Sequence, residues 1–99
     1  MYTAPTDDMQ FLIDDVLDVG SVLGALPAYA ELGLGGELTT ALPDEAAKFA
    51  ADIVSPLRRI GDKTPARCSD SAVTIPPGYA EAIQQLGAGG WVGISAPQE

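Results

Sequence analysis

Histidine is missing from the 99 residues, and cysteine occurs once, at Cys68. With no histidine and one thiol, the chain builds no His/Cys metal site, no internal disulfide and no histidine-dependent triad. Bases are scarce too: five against fourteen acids, a formal charge of -9. That sign repels phosphate backbones and argues against nucleic-acid binding. No apolar run approaches the roughly 18 residues a membrane span needs. The opening stretch carries Asp7 and Asp8 and no base, unlike a secretory or transit signal. Together with the lone cysteine, this predicts a cytoplasmic protein. The 46% apolar content excludes a disordered tail, and the length holds one domain with a modest core.

Helical periodicity fills what remains. Pro5, Asp7 and Asp8 mark a helix start, the acids lying at the positive end of the dipole. Met9, Leu12, Ile13, Val16 and Leu17 then form one stripe, and Gly20 is the expected stop. Phe11 falls among the acids on the other side and predicts a second packing surface. Ser21 to Leu32 reads as a short helix capped by Ser21 and kinked or split at Pro27. The third helix is expected to begin at a Thr39 or Thr40 cap, with Pro43 in its first turn. It carries Ala46, Ala50, Ile53 and Leu57 on one face, a Lys48–Asp52 pair, and a bend at Pro56 near Arg58 and Arg59.

Lys63 to Ser71 reads as a loop, and Ala72 to Ile75 is too short for a sheet of its own. A fourth helix, about Pro77 to Leu86, presents Tyr79, Ala82, Ile83 and Leu86 and ends at Gly87, Gly89 and Gly90. Trp91, Val92 and Ile94 follow as an apolar stub. The expected fold is all-α, a small antiparallel helical bundle or array with short connections.

No constellation carries chemistry. The Gly87–Gly93 run lacks the preceding strand and following helix of a dinucleotide turn. The neighbouring acids Asp7/Asp8 and Asp14/Asp15 point about 100° apart on a helix and do not converge on one ion. Cys68 lies beside Arg67 but has no base, and reads as an incidental thiol. No catalytic, cofactor-binding or metal residue is assigned. The candidate interface residues are Phe11, Trp91, Val92 and Ile94.

The order of short motifs does point somewhere. Tyr2-Thr3-Ala4-Pro5 precedes Asp8-Met9-Gln10-Phe11-Leu12, then Val22-Leu23 and Leu26-Pro27-Ala28-Tyr29. Glu45-Ala46-Ala47-Lys48-Phe49-Ala50, Ser55-Pro56-Leu57-Arg58-Arg59 and Gly61-Asp62 come next. Val73-Thr74-Ile75-Pro76-Pro77-Gly78-Tyr79 and Gly90-Trp91-Val92-Gly93 close the series. In that order they resemble the N-terminal helical domain of acyl-CoA dehydrogenases, in the branch with an N-terminal extension. Gly33–Thr40 and Lys63–Ser71 depart from the family pattern.

The resemblance implies residues 1–20 as the extension helix and 21–99 as the helical domain, stopping before the β domain. In full-length members it implies FAD, oxidation of acyl-CoA thioesters by a glutamate base and hydride transfer, and an electron-transfer flavoprotein as partner. No position here matches the glutamate or the flavin motifs, so the chain alone is expected to be inactive and without cofactor. Its expected partners are the missing β and C-terminal domains, or further copies of itself as an oligomer. A different class of function, a small acidic helical module that self-associates or docks a partner, stands beside this one and rests on Phe11.

Overall fold

A computed structural model describes residues 1–34 and 36–97. It is mostly helical, with one two-stranded hairpin, as expected of an all-α domain. The chain forms two compact units, Met1–Asp52 and Ile53–Glu99.

In the first unit, α1 (Thr6–Phe11) runs into a π-helical turn, Leu12–Val16. The Leu17 N–H reaches back five residues to the Leu12 carbonyl, at 2.9 Å. That wider turn breaks the expected stripe, because residues beyond Phe11 no longer keep α-helical phase. Leu12, Val16 and Leu17 are about half exposed or more. The stop is Asp18 rather than Gly20. Asp18 is left-handed (φ 47°, ψ 50°), a conformation Asp tolerates better than most side chains, while Gly20 lies within α2 (Val19–Ala25). Ser21 is also inside α2 and does not cap it. Leu26 is extended (φ -91°, ψ 118°), as the residue before a proline prefers, and this separates α2 from α3 (Pro27–Ala30).

The next helix, α4 (Glu37–Phe49), begins before the expected caps and packs against α1. Thr39 is buried inside it, and its Oγ1 donates to the Gly36 carbonyl at 2.8 Å instead of capping. Pro43 is therefore mid-helix, where it has no N–H to give the Thr39 carbonyl. Lys48 pairs with Glu45 at 2.6 Å rather than with Asp52. Glu45 is one turn back on the same face, so the short reach wins. A second π-helical turn, Ala50–Val54, follows and leads into α5 (Ser55–Lys63). The wide turn falls just before Pro56, which likewise has no N–H to offer one turn back, and it is here that the expected irregularity appears.

Beyond α5 the expected loop contains a strand. β1 (Arg67–Ser69) pairs antiparallel with β2 (Ala72–Thr74), Cys68 opposite Val73 and Ser69 opposite Ala72. Asp70 and Ser71 both take positive φ (50° and 63°), the two-residue turn whose twist matches a hairpin. Three-residue strands leave no alternation to read, and the turn lacks the usual glycine. Both strands are exposed throughout.

Gly78 (φ 84°) then opens α6 (Tyr79–Ala88). Gly87 sits inside that helix rather than ending it. The end is a Schellman closure: Gly90 takes φ 80°, its N–H bonds the Gly87 carbonyl, and the Trp91 N–H bonds the Leu86 carbonyl. Ala82 is buried, and Tyr79 and Leu86 are half-buried. Ile83 was expected on the same inward face but is 65% exposed.

In the second unit α5 meets α6 locally, at Tyr79. The Tyr79 hydroxyl donates to the Leu57 carbonyl at 3.3 Å, and the phenol lies over Gly61, where any Cβ would collide with its oxygen. A Cβ on Gly78 would fall 2.9 Å from Leu57 Cδ2. The absence of side chains at both positions lets this tyrosine and leucine fill the contact.

Candidate functional site

α1 and its π turn leave both apolar and acidic side chains exposed. Phe11 is 57% exposed, and Leu12, Val16 and Leu17 are also open. Asp7, Asp8, Asp14, Asp15 and Asp18 of the same stretch are exposed as well. The Gln10 amide donates to Asp14 Oδ2 at 2.6 Å, tying one carboxylate to the preceding turn.

The other three candidate interface residues belong to the second unit. Trp91 is half-buried: the Schellman closure turns the chain back, and the indole lies over Gly89, with Cδ1 3.0 Å from where a Cβ would stand. One further turn, closed by the Ile94 N–H on the Trp91 carbonyl, leaves Val92 and Ile94 largely exposed. Trp91, Val92 and Ile94 are thus one local group, and Phe11 belongs to a different compact unit.

Charge is divided along the same line. The first unit holds ten acids and one base, Lys48; the second holds four of each. The four bases of the second unit are Arg58, Arg59, Lys63 and Arg67, all exposed and within ten residues. Among the described residues the ion pair is Lys48–Glu45, and Arg58 and Arg59 are exposed, with Asp62 lining the same hollow. Counting charge by halves of the sequence finds this segregation; counting it for the whole chain hides it.

Among the described residues are two open hollows of about 490 Å³ each. One is lined by Gly33, Glu37, Leu38 and Ala41, the other by Ser55, Arg58, Arg59 and Asp62. Cys68 is exposed, with a free thiol on β1. No group of three His, Cys, Asp or Glu side chains among the described residues is arranged to hold a metal ion. No helix among them is long and apolar enough to cross a membrane.

Burial is sparse. Of the described residues, Ala82 (8% exposed) and Thr39 (7%) are the buried ones, and nineteen large apolar side chains are exposed. The chain exposes 7630 Å². Two separate folded globules of half its mass would expose only about 6,400 Å² in total. The excess is about 1,200 Å² for one chain, more than the roughly 800 Å² each partner gives to a specific interface. Chemically, the described residues offer exposed apolar surface for packing.

No protein-family model matches the chain. The 3-methylmercaptopropionyl-CoA dehydrogenase of Ruegeria pomeroyi is 34% identical over 98 residues, which is 99% of this chain and 16% of that protein. The chain therefore spans about one sixth of the length of the curated relative it matches. Along nearly its whole length it is related to an acyl-CoA dehydrogenase, as its ordered motifs indicate.

Proposed function

We propose, from that kinship to the acyl-CoA dehydrogenases, that the chain serves as the helical N-terminal portion of such an enzyme and is inert by itself. In this reading residues 1–20 are the extension helix and 21–99 the helical domain. The β and C-terminal domains supply the FAD site and the catalytic glutamate. The substrate class is an acyl-CoA thioester, and the electrons leave to an electron-transfer flavoprotein. The helical portion contributes cover: its apolar side chains close one side of the site against water.

The observation that carries the reading is the shortage of core. A free-standing domain of this length buries several large side chains completely. Here Trp91 is only half-buried, and Val92 and Ile94 are open. Such surface is what a helical layer presents to a neighbouring domain.

The test mixes the purified chain with the Ruegeria pomeroyi relative from which the matching stretch has been deleted. Stable association and recovery of dye reduction with acyl-CoA are expected. The chain alone with FAD is expected to show no flavin absorbance. Flavin retained by the isolated chain, or no association with the deleted relative, overturns the proposal.

A second reading, a small acidic module that docks a partner, is favoured by one feature. Phe11 is exposed amid five aspartates, which suits a basic or apolar partner surface.

A further inference from the structure

We draw no further inference here: the strongest candidate, the open hollow on α5 lined by Ser55, Arg58, Arg59 and Asp62, sets a carboxylate among its guanidinium groups, and nothing in the structure shows what would occupy it.

Discussion

The Tyr79 hydroxyl donates to the Leu57 carbonyl at 3.3 Å while its oxygen occupies the space a side chain at Gly61 would need. One phenol thus joins two helices by a hydrogen bond and by filling a notch.

Gly61→Ala is expected to destabilise the chain although alanine is the better helix former. The new methyl displaces the phenol and breaks its hydrogen bond, a loss of about 1–3 kcal/mol against a propensity gain of about 1 kcal/mol. Tyr79→Phe removes the colliding atom and on its own costs about 1 kcal/mol. The double variant is expected to be more stable than the sum of the single losses. Urea unfolding at fixed protein concentration measures the cycle, and strict additivity contradicts the packing described.

Two glycines on either side of the C-terminal end of α6 predict opposite signs. Gly90 holds the left-handed position of the Schellman closure, so Gly90→Ala is expected to cost about 1–2 kcal/mol with no collision involved. Gly87 is helical with open space around it, so Gly87→Ala is expected to stabilise by up to about 1 kcal/mol. Thermal or urea midpoints of the two variants, moving in opposite directions, check the placement of the helix end.

Lys48 titrates above the ordinary lysine value, first because its ammonium donates to the Glu45 carboxylate, then through the charges of Glu45 and, more weakly, Asp44. A folded value above the unfolded one means the pair's small contribution is complete below the usual lysine range. It disappears as pH rises through the raised folded value. Both side chains are well exposed, so the effect is one of titration more than of stability. NMR titration of the Lys48 amine is expected to show the upward shift in the wild type and its reduction in Glu45→Gln.

Much of the helical content was legible because apolar spacing and caps are local properties. The split at Pro27 followed from proline chemistry, since the preceding residue is pushed to an extended conformation. The stop at Asp18 was not legible, because Gly20 is the commoner stop signal and nothing local says that an aspartate will turn left-handed. The strand Arg67–Ser69 was missed because three residues hold no period and its partner comes only after the turn. Of the four candidate interface residues, Phe11, Val92 and Ile94 are exposed and Trp91 is half-buried. Exposure of an apolar residue is foreseeable when the opposite helical face is already occupied. Arg58, Arg59, Lys63 and Arg67, four bases in ten residues, stand out only when charge is counted by segment rather than over the whole chain.

The amino-acid order alone determined the helical class, the acidity and the kinship, because period, charge and motif order reside in the chain without reference to its folding. Only the tertiary structure decided which stripes find cover, how Tyr79 meets Gly61, and where the π turns shift the helical phase. Those depend on which distant residues arrive at the same place, and sequence spacing does not encode that.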